Sequence, residues 1–185
     1  MRRAFSGELV DAGAVTELCT EALRAPTAGH SRGVFLTVTN DVSGFFEAAT
    51  DSHWRETSRR FRDLAGAGAI VVVTCSPTIY AERYQAADKS DERLTNPDTW
   101  PVPYWIGDAG MATMALLLLV EEAALHATFW GAFRHDDRVR QFADVPADEI
   151  IYGYVLIGHG APDTPSASLS REGLTRAQRV RRLAR

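Results

Sequence analysis

The residues of this chain best suited to chemistry are hydrogen-bond donors rather than nucleophiles. Thr27, Gly29, His30, Ser31, Arg32 and Gly33 form a short polar run between a helical pattern and an apolar strand pattern. Guanidinium forks and the amides of small residues suit a phosphate group or the polar edge of a ring. Arg2 and Arg3 lie at the N-terminal end, and Arg171 opens the C-terminal tail. Each arginine taken alone is better explained as solvated surface. The loop is more informative, because it sets flexible donors beside a core strand.

Other chemistries find little support. The histidines are His30, His53, His126, His135 and His159, and none falls in an HExxH pattern or joins a CxxC pair, so no metal centre is expected. There is no GxSxG nucleophile elbow. Cys75 ends an apolar strand pattern, where a thiol is ordinarily inert. No GxGxxG follows the first strand, which disfavours a dinucleotide-binding Rossmann domain. Cys19 and Cys75 are the only cysteines; two buried thiols suit a reducing cytoplasm better than a disulfide framework. Arg2-Arg3 is followed by Glu8, Asp11 and Glu17 rather than an apolar run, so an export signal is not expected.

These residues must be positioned by a chain of 185 residues, enough for one domain with a real core. The net charge is −4, but residues 168–185 hold six arginines and one glutamate, leaving −9 on the remainder. An acidic body argues against a nucleic-acid surface there.

The organising stretch is Pro103 to Gly131. Ala109 to Val120 is apolar except for Thr113, which predicts a central helix buried on several sides, with Asp108 capping its start. Asp108, Glu121 and Glu122 interrupt it too early for a membrane span. The aromatics and glycine of His126 to Gly131 are expected to close this segment at the edge of the core. Val10 to Arg24, Val42 to Ala49, Trp54 to Leu64, Ile79 to Ala87 and Asp136 to Phe142 read as further helices. Val34 to Thr39, Ala69 to Cys75 and Ile151 to Gly158 read as three strands. The order is mixed rather than alternating, so the expected class is α+β, a mainly antiparallel sheet flanked by helices. Pro97, Pro101 and Pro103 break residues 86–103 into a long loop, either a lid over a site or a solvated connection.

At this point the residues carry a resemblance. Arg2-Arg3-Ala4-Phe5, Val10, and then Leu23 to Ser31 (LRAPTAGHS) before a strand resemble the opening of the nitroreductase family of FMN enzymes. Asp108 to Ala112 with its leucine run resembles that family's central helix. Phe129-Trp130-Gly131 is similar to its flavin-facing segment, and Val145 to Asp148 and Val155 to Gly160 to its closing pattern. The resemblance implies a homodimer with FMN bound across the subunit interface. It implies that Arg3, Arg2 and Arg171 hold the FMN phosphate. It also implies that Pro26, Thr27, Ala28 and His30 reach the flavin from the other subunit, and that Trp130 and Gly131 flank the ring. NAD(P)H would supply hydride, and a nitroaromatic or quinone would accept it. His30 stands where the family has Asn, and Arg32-Gly33 where it has Gln-Pro. These departures leave two alternatives open: a non-catalytic flavin-fold binding protein, and a flavin-dependent dehydrogenase of a specialised metabolite.

Overall fold

Short polar residues write most of the helix starts. Asp11 accepts hydrogen bonds from the amides of Gly13 (3.1 Å) and Ala14 (3.2 Å) at the head of α1 (Ala12–Ala22). Asp41, Asp51, Ser58 and Ser76 do the same for α2 (Val42–Ala49), α3 (Ser52–Thr57), α4 (Arg59–Leu64) and α5 (Pro77–Gln85). Each satisfies an amide that has no partner within the helix. Ser58 is also why the span 54–64 is two helices instead of one: it leaves the helical region and caps the second.

The computed structural model describes residues 1–89, 94–96, 99–164 and 166–183. Pro97, used above to break residues 86–103, and Arg185 of the tail lie outside the described residues. The fold is α+β. Strands β1 (Val34–Thr39), β2 (Ala69–Cys75), β3 (His126–Gly131) and β4 (Ile150–Gly158) form one sheet in the order β1-β2-β4-β3, every pair antiparallel. β2 is buried along its whole length and reads as a continuous apolar run. Its alternate side chains feed two cores. Ala69, Val71, Val73 and Cys75 face α1 and α6 (Tyr104–Glu122); Ile70 and Val72 face α2 and α7 (Asp136–Ala143). In β4 the pairing steps from Val73↔Gly153 to Thr74↔Ile151, skipping Tyr152. This bulge turns Tyr152 toward the α6 side while Tyr154 stays on the other.

Three expectations are corrected. His126 to Gly131 does not close the central helix; it is a fourth strand. Helix α6 ends at Glu122, Ala124 turns the chain with φ 58°, and the next six residues pair with β4 from His126↔Gly158 to Gly131↔Gly153. Nor does Asp108 cap α6. The helix begins at Tyr104 after Pro103, whose ring presets the backbone, and Asp108 lies inside it, 2% exposed. Finally, α6 buries one stripe only in the single chain: Asp108, Ala109, Ala112, Thr113, Leu116 and Val120. Met111, Met114 and Leu118 on its far side are 42%, 53% and 59% exposed.

Candidate functional site

The two groups of donors singled out from the sequence end up on different sides of α6. Asp108 and Ala112 line one cavity; Gly110, Thr113, Met114, Leu117, Leu118 and Glu121 line another. At 3.6 residues per turn these sets point in nearly opposite directions.

The first cavity, about 510 Å³, lies beside the loop that follows α1 and takes in Pro26, Thr27, His30 and Arg32. The loop is tightly wound. Ala28–His30 is a single 3₁₀ turn, and Gly29, His30 and Arg32 have φ of 60°, 58° and 57°. Side chains far away in sequence hold this left-handed backbone. The Ala28 amide donates to Asp108 Oδ2 at 2.7 Å, and the Tyr80 hydroxyl donates to the same oxygen at 2.6 Å. Arg83 Nε donates to the Gly29 carbonyl at 2.8 Å. Within the loop, the Arg32 amide donates to Thr27 Oγ1 at 3.1 Å and Ser31 Oγ donates to the Ala28 carbonyl at 2.5 Å. Burial, reinforced by the hydrogen bond to Asp108, pushes the Tyr80 phenol well above its ordinary pKa, so it stays a donor at any physiological pH. At Gly29 an added Cβ would sit 2.9 Å from the Tyr84 ring, so glycine is favoured by space as well as by φ.

Trp100, from the span 86–103, supports this loop from behind. Trp100 meets Tyr84 at 4.8 Å, Tyr104 at 5.7 Å and Trp105 at 6.0 Å between ring centroids, and Trp105 meets Tyr80 at 6.2 Å. The aromatics expected to cover something cover α5 and the start of α6.

The second cavity, about 430 Å³, runs between α6 and the edge strand β3, and Met1, Ala127 and Phe129 complete it. Among the described residues β4 is the one strand paired with β3, so the other edge of β3 faces this cleft and the N-terminal segment. The Phe129 amide has only the soft acceptor Met1 Sδ, at 3.5 Å. The N-terminal segment lies alongside. The Arg2 amide donates to Ala127 O at 3.1 Å, the Arg3 amide to Asp163 Oδ2 at 3.0 Å, and Phe5 bridges to Gly160. Beside Arg2 the ring of His126 packs so close to Gly160 that a Cβ there would collide with it. His126 Nδ1 is buried with no hydrogen-bond partner; Glu121 Oε2 is the nearest acid, at 3.5 Å. Sequence reading had set His126 aside. Its position gave no signal, because the strand that aims it was itself missed.

Of the other expected residues, Gly131 ends β3, and the Trp130 side chain faces away from α6. Trp130 packs in an aromatic cluster with Phe45, Phe46, Trp54 and Tyr154. Arg171 is exposed in the tail, and its guanidinium makes no hydrogen bond or ion pair among the described residues. Thus one protomer gathers Arg2, Arg3 and β3 on one side of α6 and Pro26, Thr27, Ala28 and His30 on the other.

The profile of the nitroreductase family matches residues 1–159. The chain belongs to that family. The fold agrees with solved structures at low identity. The nitroreductase CinD from Lactococcus lactis, solved with nicotinic acid, superposes with a TM-score of 0.76 at 16% identity, over 100% of this chain and 95% of that one. A nitroreductase family protein from Streptococcus pneumoniae gives 0.70 at 15% identity, over 98% and 94%. An oxidoreductase described as containing FMN gives 0.65 at 18% identity, over 87% and 73%. No curated protein matches the chain in sequence.

Proposed function

We propose that two copies of this chain form an FMN-dependent oxidoreductase that uses NAD(P)H to reduce a nitroaromatic, quinone or similar acceptor. The observation that carries the proposal is the division of the two donor sets between opposite faces of α6. A site that uses both sets is completed only when the loop of one copy meets the β3 cleft of another. The exposed face of α6 supports the pairing. Met111, Met114 and Leu118 form an apolar patch continuous with that cleft, of the sort that marks an interaction surface. Leu169, Leu174, Val180 and Leu183 of the tail are at least 70% exposed and suit an arm laid over a neighbour.

The residues present fit a flavin nucleotide. The open edge of β3 offers the Phe129 amide to a planar group, the apolar wall of α6 suits the face of a ring, and Arg2 and Arg3 suit its phosphate. Bound FMN would supply the two-electron chemistry. This chain's own work is placement: apolar α6 side chains exclude water, β3 amides receive the polar edge of the ring, and the Asp108-pinned loop supplies Pro26, Thr27, Ala28 and His30 from the partner. Arg171 would join the phosphate site from the tail, and Trp130 would act from beneath by setting the position of Gly131. Such a protein works in the cytoplasm, where reduced nicotinamide is available.

The test is direct. Purified protein titrated with FMN is expected to become yellow and protected from dialysis. It is then expected to oxidise NADH or NADPH with a quinone, and to elute as a dimer on a sizing column. Leu118→Glu is expected to yield a monomer that no longer retains FMN. Protein that gains no flavin absorbance, or a monomer that retains flavin, would overturn the reading.

A further inference from the structure

On the opposite side of the sheet from α6 lies a third cavity, about 410 Å³, which meets the proposed flavin site at the end of β3, where Trp130 and Gly131 also line it. Its floor is Ala49, Thr50, Trp54, Trp130 and Tyr154; Asp51, Arg60, Arg134 and His135 stand around its mouth, with Phe133 88% exposed beside them. Its volume and aromatic lining are those of a small-molecule site. Trp54 and Trp130 stack with centroids 5.9 Å apart and planes 21° off parallel, and the stacked pair forms an apolar wall of the cavity.

The hydrogen-bonding inventory of this cavity is lopsided. The Tyr154 hydroxyl is buried and has no partner among the described residues. Its phenol, pushed up to about 12 by burial and by the Asp136 charge, is a permanent donor. The acceptors nearby are already committed. Asp136 accepts from Arg140 Nε at 2.8 Å. Asp51 caps α3 through the Trp54 amide at 3.0 Å and faces His135 at 3.9 Å. The Thr50 carbonyl accepts from Arg55 at 2.9 Å and Arg138 at 2.8 Å. In contrast, Arg60 and Arg134 have no hydrogen bond or ion pair among the described residues, Arg134 feeling only the more distant charge of Asp51. The cavity therefore combines uncommitted donors and positive charge with a flat apolar wall, and no uncommitted acidic acceptor at its floor. A buried donor without an acceptor is costly, and an incoming acceptor removes that cost.

We propose that this cavity is a binding site for a planar aromatic carboxylate of one or two rings. The ring lies on the Trp54–Trp130 wall, and the carboxylate takes the Tyr154 hydroxyl and the guanidinium of Arg134 or Arg60. The site lies on the face of the sheet opposite the α6 cleft and shares no lining residue with that cleft, so the ligand binds whether or not FMN is present.

The probe is 2-naphthoate, titrated by calorimetry into the full chain with and without saturating FMN. One site per chain is expected in both cases, with 2-naphthalenemethanol, which lacks the charge, binding about tenfold more weakly. Tyr154→Phe, which removes one oxygen from an otherwise intact core, is expected to weaken 2-naphthoate about tenfold, and the double variant Arg60→Gln, Arg134→Gln by at least as much. The proposal is overturned by the absence of binding to the wild-type chain or by equal affinity of the alcohol. It is equally overturned by affinities unchanged in both variants, or by displacement with FMN, which would put the probe in the flavin cleft.

Discussion

On the α6 side of the sheet, Ala69, Val71, Val73, Val155 and Ile157 meet a helix stripe of Ala109, Ala112, Leu116 and Val120. On the far side, Ile70, Val72 and Leu156 meet Phe45, Phe46, Trp54, Trp130 and Tyr154. The first interface is built from small aliphatic groups and lets α6 come close. It also admits a buried carboxylate, Asp108, because Tyr80 and the Ala28 amide are there to satisfy it. The second is built from rings in edge-to-face contact, with Phe45 touching four others. Polar order and apolar bulk have thus been assigned to opposite faces of one sheet. The loop proposed to reach a flavin is held by hydrogen bonds, while the opposite face is held by area and ring contacts.

That contrast can be broken at four points. The largest effect is expected on the aromatic face: Phe45→Ala should cost about 3–5 kcal/mol in urea unfolding, since it empties the centre of the ring cluster. A loss near that of a surface substitution would mean that the cluster is not what holds this face. Next comes Asp108→Ala, which strands two buried donors and should cost about 2–4 kcal/mol, with Asp108→Asn costing less because its carbonyl oxygen still accepts. If the two variants were equally stable, the loop would not depend on that oxygen. Gly29→Ala is expected to cost about 1 kcal/mol or somewhat more, from the positive φ and the Tyr84 contact together, read as a lower Tm. The smallest effect is a null one. Burial pushes the Cys19 and Cys75 thiols up to about 12. At pH 8, where roughly one in ten thousand would be ionised, neither should react with a thiol reagent until the chain unfolds. Rapid labelling of native protein would show that the α6-side core, to which both belong, opens readily.

The sequence made much of this legible. The runs VFLTVT and AIVVVTC became β1 and β2, and IYGYVLIG lies within β4, because β-branched stretches between turn residues have few other uses. The loop 27–33 was legible as a donor-rich turn. Its anchor was not, because Asp108 and Tyr80 lie far from it in the chain and nothing local ties them to Ala28. β3 was missed for a related reason. HATFWG lacks the β-branched density of the other strands, and it follows a long apolar helix whose pattern runs on until Ala124 turns the backbone. The same strand gives His126 its place beside Arg2.

The amino-acid pattern by itself determined the α+β class, the presence of most helices and the family resemblance, since apolar periodicity, β-branched runs and motif order are properties of neighbouring residues. Which face each side chain serves was decided only in three dimensions. The bulge at Tyr152, the packing of α6 on the sheet and the pairing of β3 sort the side chains between two cores. Long-range contacts then set Asp108 under the loop and turned Trp130 to the face opposite α6.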